Sequence, residues 1–247
     1  TAPKMPKLGK GTECVQLLLS QVSKDMHEPL VPMFFPILGA QVSESEFQYP
    51  DLSWKELCGM MGNLVADSGC NKGQLSNIVE AICHNMREHD STELEKLVEW
   101  QKQMKMKSAN KEKPARPDVS FWFPPADVTN AAFIQNAMAC EKLGERTQYL
   151  NLPEVEMADR MCGGHKQISQ MLRNIYDRQR SGALRATAEG VTGNPVLRAN
   201  LTISSTPYAA RKFYKNELFN GTFGRMVFSY KARQGREGKI PRQGKYD

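Results

Sequence analysis

Residues 64–79, LVADSGCNKGQLSNIV, decide the fold of this chain. A short apolar segment gives way to small and turn-forming residues around Lys72, and a helical pattern starts directly afterwards. The apolar residues of that pattern recur at the spacing of one helix face, namely Leu75, Ile78, Val79, Ile82, Cys83 and Met86. The stretch predicts a strand, a turn and an amphipathic helix. The turn is either an ordinary corner with an exposed lysine or a phosphate-binding loop.

Phosphate-binding loops follow the pattern G-x-x-x-x-G-K-[ST], in which backbone N–H groups and the lysine bind phosphates and the hydroxyl binds magnesium. The pattern aligns with residues 66–73, and only Lys72 matches it strictly. Asn71 replaces a glycine, but Asn tolerates positive φ better than most residues. Gly73 replaces the hydroxyl residue, and Ser76 lies one turn too far along the helix to substitute for it. The position still favours a loop, because a helix that starts here would direct its N-terminus at an anion.

The composition is that of a globular protein and favours one large domain. The chain has 247 residues, of which 40% are hydrophobic and 24% are charged. The most apolar segment, PLVPMFFPILGA, is too short and too rich in proline for a membrane helix, so no membrane association is expected. The net charge of +6 permits a polyanionic partner. The first residues, TAPKMPKLGKG, lack an initiator Met and a signal-peptide core, which is typical of a piece cut from a longer protein.

Six cysteines are scattered without a C-x-x-C pair, so neither a zinc site nor a disulfide framework is expected. The four histidines lack ligand spacing, and no metal site built from protein side chains is predicted. Reduced thiols of this kind are typical of a cytoplasmic protein.

Helical and strand patterns alternate along the chain. Helices are predicted over 12–40, after Lys72, over 91–107, after a Thr129 cap, from Ile168 to near Gly182 and after a Thr206 cap with Pro207 at its first position. Strands or hairpins are predicted over 47–66, 119–123 (VSFWF), 148–152 (QYLNL), 183–204 and 225–230 (RMVFSY). The alternation predicts an α/β sandwich with a mainly parallel sheet. We expect residues 1–45 to pack as a helical segment on a C-terminally truncated core, 46–247, that carries a basic loop at 105–118.

Five longer segments carry a family resemblance: ADSGCNKGQL, FWFPPADVTNAAFIQNAM, LNLPEVEMADRMCGG, LRANLTISSTP and GTFGRMVFSYKARQGREGKIPRQGKYD. Together they resemble the domain of unknown function found in primase-helicase-like proteins of gut-bacterial mobile elements and phages. The likeness spans roughly residues 30–247. It implies a RecA-like P-loop NTPase fold, a three-layer α/β sandwich with a mainly parallel sheet, in a protein that processes DNA.

The resemblance implies a role for each position of the loop. Lys72 would be the phosphate lysine, and the nucleotide would contact Asp67, Ser68, Gly69, Cys70, Asn71, Lys72, Gly73 and Gln74. Related sequences read SGTGKGQL, so Gly73 fits this subgroup whereas Asn71 departs from it. ATP and Mg²⁺ are the cofactors that the resemblance implies.

The segment YLNLPEVE resembles the second NTPase motif, an apolar strand that ends in an acid. Pro153 stands where an Asp is usual, which leaves Glu154 to position Mg²⁺ or activate water and Glu156 as its competitor. The alternative is that both acids lie at a helix N-terminus, where the helix dipole favours them.

Two further segments have counterparts in the family. Ser205 and Thr206 resemble the polar strand end that senses the terminal phosphate, although Thr206 is also a good helix cap. Arg225 stands where an arginine could act as a finger across a subunit interface, or else begins a strand in solvent.

Basic residues crowd the C-terminal tail, and DNA contacts are predicted at Lys231, Arg233, Arg236, Lys239 and Arg242. Such clusters can equally be solvated surface. The whole set of motifs predicts an ATP-hydrolysing motor core that moves on single- or double-stranded DNA, possibly as a homo-oligomer. The alternative is a catalytically degenerate P-loop scaffold or DNA-binding module.

Overall fold

The fold was analysed in a computed structural model, which describes residues 7–43, 45–51, 53, 55–57, 59–106, 114–144, 146–161, 168–182, 191–215 and 221–233. The helices in this part of the chain are α1 (Glu13–Ser20), α2 (His27–Gln41), α3 (Gly73–Ile82), α4 (His84–Met106), α5 (Asn130–Lys142), α6 (Val155–Met161), α7 (Ile168–Tyr176) and α8 (Pro207–Tyr214). The strands are β1 (Glu46–Phe47), β2 (Glu56–Leu57), β3 (Met61–Ala66), β4 (Gln148–Leu152), β5 (Ala199–Ser205) and β6 (Val227–Lys231).

Four strands form a parallel sheet in the order β4-β5-β3-β6, while β1 and β2 form a separate antiparallel pair. In the sheet Val65 pairs with Ser205 and Ala66 pairs with Lys231, so the carboxyl ends of the central strands lie together at one edge. The predicted α/β class and the parallel sheet are confirmed.

Helices cover both faces of the sheet, because successive side chains of each buried strand point to opposite sides. On one face, Leu64 and Tyr149 pack with apolar side chains of α2, α3 and α4. On the other, Leu150 and Ile203 pack with side chains of α5, α6, α7 and α8. Strands buried on both faces read as continuous apolar runs, which explains why MGNLVA and QYLNL were recognisable in the sequence.

The prediction of a strand at VSFWF, residues 119–123, is wrong. Side chains of two helices, rather than a neighbouring strand, take up its backbone N–H groups. Asp90 accepts from the N–H groups of residues 122 and 123 at 2.7 Å each, and Glu93 accepts from that of residue 120 at 3.1 Å. Asn136 accepts from N–H 121 at 2.8 Å and donates to the carbonyl of the same residue at 2.8 Å. The segment therefore runs irregularly past the start of β4, where its carbonyl 122 accepts the N–H of Tyr149 at 2.8 Å.

The helix predicted over 91–107 starts earlier than expected. It begins at His84, separated from α3 by Cys83 alone, and ends at Met106. The two predicted caps are present: the Thr129 and Thr206 hydroxyls accept the N–H groups of Ala132 and Ala209 at 3.3 and 3.2 Å. The two-strand prediction over 183–204 yields β5, while residues 183–190 lie outside the described residues.

Candidate phosphate-binding site

The candidate site is the loop between β3 and α3. β3 is an inner strand of the sheet, with a neighbour on each side, and the loop joins its carboxyl end to the start of α3. Two loop residues have left-handed backbone conformations: Gly69 at φ 80° and Asn71 at φ 58°. Asn is one of the few residues other than glycine that visit this region routinely, so the chain turns here despite the missing glycine. The N–H groups of Cys70 and Gln74 donate to the carbonyls of Asp67 and Asn71, at 3.3 and 3.1 Å.

The loop is open to solvent. Ser68, Gly69, Asn71 and Gly73 are exposed, and Asp67, Cys70 and Lys72 are half-buried. A Cβ atom added at Gly69 or at Gly73 would meet no atom within 4 Å. The first turn of α3 carries no acidic residue, and its N-terminus has no side-chain cap. The N–H groups of Gln74 and Leu75 donate to the carbonyls of Asn71 and Lys72 at 3.1 and 3.0 Å. The turn itself is exposed at Asn71 and Gly73, so an anion could approach it from solvent.

Lys72 folds back over the strand ends. Its ammonium Nζ donates to the carbonyl oxygen of Ala66 at 3.0 Å and to that of Ser205 at 3.4 Å. These carbonyls end β3 and β5, the two central strands, so the positive charge lies at the middle of the carboxyl edge. An ammonium group on a flexible stem can exchange such carbonyl contacts for a phosphate without any movement of the backbone.

Ser205, a predicted sensor, directs its hydroxyl into the protein. Its Oγ donates to Oδ1 of Asn63 at 2.8 Å, and Nδ2 of Asn63 donates to the Tyr214 hydroxyl at 3.0 Å. All three residues are buried. The sequence offered one signal for this network, an Asn inside the apolar run MGNLVA, but its two partners lie 142 and 151 positions away. Thr206, the other sensor candidate, uses its hydroxyl to cap α8.

Glu154 and Glu156 lie just beyond β4, at the same edge of the sheet as the loop, because β4 is parallel to β5. Glu154 immediately precedes α6 and Glu156 lies in its first turn; both are exposed. This agrees with the alternative that the acids occupy a helix N-terminus. Pro153 is exposed and carries no acid.

Gln74 points to the N-terminal part of the chain. Its side-chain oxygen accepts from the N–H of Ser23 at 2.8 Å, and its Nε2 donates to the Ser23 hydroxyl at 2.9 Å. Both polar atoms of the Gln74 amide therefore already have protein partners.

Arg225 lies at the opposite edge of the sheet. It precedes β6 in a 3₁₀ turn, Phe223–Arg225, and β6 is parallel to β3, so it lies near the amino ends of the strands. Its guanidinium donates to both oxygens of Asp177 at 2.9 Å each, and this ion pair raises the pKa of Arg225. The ion pair differs from the alternative of a strand-start arginine in solvent, and the role of a finger across a subunit interface stays a prediction.

Lys231, predicted to contact DNA, is buried: only 8% of its side chain is exposed. Its Nζ lies 2.9 Å from a carboxylate oxygen of Asp25 and donates to the Asp25 carbonyl at 2.9 Å, which lowers the pKa of Asp25. Lys231 is therefore not an exposed cation, which corrects its assignment as a DNA contact. Arg233 is exposed. The remaining predicted contacts, Arg236, Lys239 and Arg242, and residues 107–113 of the basic loop lie outside the described residues.

A separate cavity of about 850 Å³ lies between α4, α5 and the 116–129 segment. Apolar side chains such as Leu97, Phe121 and Val128 dominate its walls, and no residue of the loop lines it. It is therefore distinct from the candidate phosphate site.

Within the described residues, no group of three or more His, Cys, Asp or Glu side chains could hold a metal ion, and no helix is long and apolar enough to cross a membrane. Comparison of the chain with models of protein families finds no match, and no curated protein matches it. What this chain does is therefore inferred from its own residues.

Proposed function

We propose that the loop between β3 and α3 binds the phosphates of a nucleoside triphosphate, and that the chain is the ATP-binding core of a DNA-processing protein. The observation that carries the proposal is the loop itself. It has two left-handed residues, a helix N-terminus without a side-chain cap and the Lys72 ammonium, all at the carboxyl end of a central parallel strand. This is where α/β sheets bind ligands.

The strand order supports a RecA-like P-loop arrangement. The strand that carries the loop, β3, and the strand that leads to Glu154, β4, are separated by β5. The polar end of β5 thus lies between the phosphate lysine and the candidate acid. In such an arrangement a triphosphate bound by Lys72 would extend towards the end of β5 and Glu154.

Each residue of the site would act through its charge. Lys72 and the N–H groups of the loop would neutralise the phosphates, and Glu154 would orient water. Magnesium usually enters such sites with the phosphates and keeps several waters, so a single carboxylate is enough to hold it in place. Glu154 fits that requirement, whereas Gly73 supplies no hydroxyl. When bound, Mg²⁺ would neutralise charge that develops on the phosphates.

Affinity for ATP, measured by fluorescence titration with and without Mg²⁺, tests the proposal. Replacing Lys72 with Met removes the ammonium and should weaken binding at least about tenfold, because a charge-assisted contact is lost. The matched control is Lys102→Met, which removes an exposed lysine from α4 far along the chain. If wild-type protein binds no ATP, or if both variants bind equally, the proposal is wrong.

Hydrolysis is tested separately. Glu154→Gln should retain ATP affinity and abolish turnover, both with and without single-stranded DNA, whereas Glu156→Gln should change turnover less. Equal turnover in the wild type and Glu154→Gln would remove Glu154 from the chemistry.

A second candidate function is a scaffold or DNA-binding module that has kept the fold without turnover. Gly73 and Pro153 favour it, since the magnesium hydroxyl and the usual acid are both replaced. So does the Lys72 ammonium, which already has two carbonyl partners. DNA binding that weakens steeply with salt, together with no measurable ATP affinity, would select this candidate.

A further inference from the structure

Residues 23–26 cross the carboxyl edge of the sheet beside the phosphate loop. Their first contact is with α3. Ser23 donates its N–H to Oε1 of Gln74 at 2.8 Å, and Gln74 returns a hydrogen bond to the Ser23 hydroxyl at 2.9 Å. Met26, at the end of the segment, is fully buried in the core cluster that also contains side chains of α2 and α3. The segment is therefore fixed by hydrogen bonds at Ser23 and by apolar packing at Met26.

The second contact is with β6. The Lys231 ammonium lies 2.9 Å from a carboxylate oxygen of Asp25 and donates to the backbone carbonyl of the same residue at 2.9 Å. Because the Lys231 side chain is 8% exposed and that of Asp25 is 31% exposed, solvent screens this pair less than a surface pair.

The two anchors lie at the two ends of the loop. Lys231 is the register partner of Ala66, the last residue before the loop, and Gln74 comes directly after Gly73, the last residue of the loop. Ala66 also supplies the carbonyl that accepts from Lys72. Residues 23–26 thus contact the chain on both sides of the loop.

We infer that residues 23–26 form a strap that fixes the two ends of the phosphate loop relative to each other, and that Gln74 is a positioning residue for the anion rather than a ligand of it. The inference rests on the proposed function for its ligand. A loop that must present several N–H groups at once binds more tightly when its ends are held, since less order is lost on binding. Contacts as exposed as that between Ser23 and Gln74 contribute little to overall stability. Loss of this contact should therefore make the loop less ordered while the melting temperature changes little.

The test replaces Gln74 with Met in the full chain, which keeps the length of the side chain and removes both of its hydrogen bonds to Ser23. Amide hydrogen exchange in a peptide covering 64–79 should become several-fold faster, and affinity for ATP with Mg²⁺ should fall about threefold to tenfold. The melting temperature should change by less than about 2 °C. The matched control, Glu80→Gln, removes the negative charge from the ion pair of α3 with Arg87, whose two contacts of 2.7 and 3.0 Å do not involve the loop. It should leave both the exchange and the affinity unchanged.

If residues 23–26 act as a strap, the losses of ATP affinity caused by releasing its two ends should not add. If Asp25→Asn and Gln74→Met each release one end, the double variant should bind ATP no more weakly than the weaker single variant. Two independent structural contacts would give additive losses instead. Wild-type exchange rates in Gln74→Met, equal effects of Gln74→Met and Glu80→Gln, or additive losses would each overturn the strap. If the wild type does not bind ATP, the proposed function fails, while the exchange rates still decide whether the strap exists.

Discussion

The conformation of Asn71 makes a quantitative prediction about the loop. With φ at 58°, this residue lies in the left-handed region, where a side chain with a Cβ meets the following carbonyl. Replacing Asn71 with Val puts a β-branched side chain at that φ and removes the short polar group that makes the conformation tolerable for Asn. The cost for an ordinary residue is roughly 1–2 kcal/mol, which should lower the melting temperature by about 2–8 °C in a chain of this size.

The matched control is Asn77→Val, the same substitution at an exposed position inside α3. Asn and Val have similar helix propensities, so this change should alter the free energy of unfolding by only a few tenths of a kcal/mol, roughly. Asn71→Gly keeps the left-handed conformation accessible while the unfolded chain gains freedom. It should therefore leave stability within about 1 kcal/mol of the wild type.

Thermal unfolding measures these differences, and ATP titration shows whether the loop has kept its shape. Asn71→Val should lower both stability and affinity, whereas Asn71→Gly should retain affinity. A melting temperature for Asn71→Val equal to that of Asn77→Val would refute the reasoning, because the left-handed turn would then carry no cost for a β-branched residue.

Three further predictions concern individual hydrogen bonds and ion pairs of the fold. Asp90→Ala leaves one buried and one partly buried N–H group without their acceptor and should reduce the free energy of unfolding by about 3–5 kcal/mol, measured by chemical denaturation; a loss under about 1 kcal/mol would contradict it. Thr206→Ala removes the cap of α8 and should cost about 1 kcal/mol in the same assay, without the much larger loss of ATP affinity expected if Thr206 contacted the nucleotide. The pKa of Asp25 is held below its ordinary value of 3.8 by its hydrogen bond with Lys231, so its contribution to stability is complete above about pH 4 and is lost as pH falls through the lowered pKa. Melting temperatures of the wild type and Asp25→Asn should therefore converge on acidification, and a constant difference would be evidence against the pair.

Local patterns predicted the parts of the fold whose causes are local. The β3-turn-α3 unit was predictable because strand, turn and helix signals follow one another within 64–79. The cap at Thr206 was predictable because its hydroxyl accepts from an N–H group only three residues away. VSFWF was not predictable as irregular chain. Its composition is that of a buried strand, but the carboxylate of Asp90 that occupies its N–H groups lies 32 and 33 positions away.

The same distinction between local patterns and distant partners applies to the candidate site residues. The position of Lys72 in a turn after a strand and before a helix was predictable from the sequence, because the signals for all three lie within 64–79. The burial of Lys231 depends on Asp25, 206 positions away, and the ion pair of Arg225 depends on Asp177, 48 positions away. A run of basic residues cannot reveal such partners, because charge on its own is typical of both solvated surface and buried ion pairs. The pairing of Gln74 with Ser23 was not predictable either, because the two residues are 51 positions apart in the sequence.

The departures of this loop from the P-loop pattern fall into two physical kinds. Where the pattern needs a backbone conformation, the chain supplies it by another route: Asn71 adopts the left-handed turn that a glycine would otherwise make. Where the pattern needs a particular side-chain atom, as at Gly73 and Pro153, no backbone conformation can replace it. Anion binding depends mainly on N–H groups and one ammonium, whereas hydrolysis depends on magnesium and a positioned water. If the loop binds ATP as proposed, binding should therefore tolerate these departures better than turnover does, and we expect a measurable affinity for ATP together with slow hydrolysis.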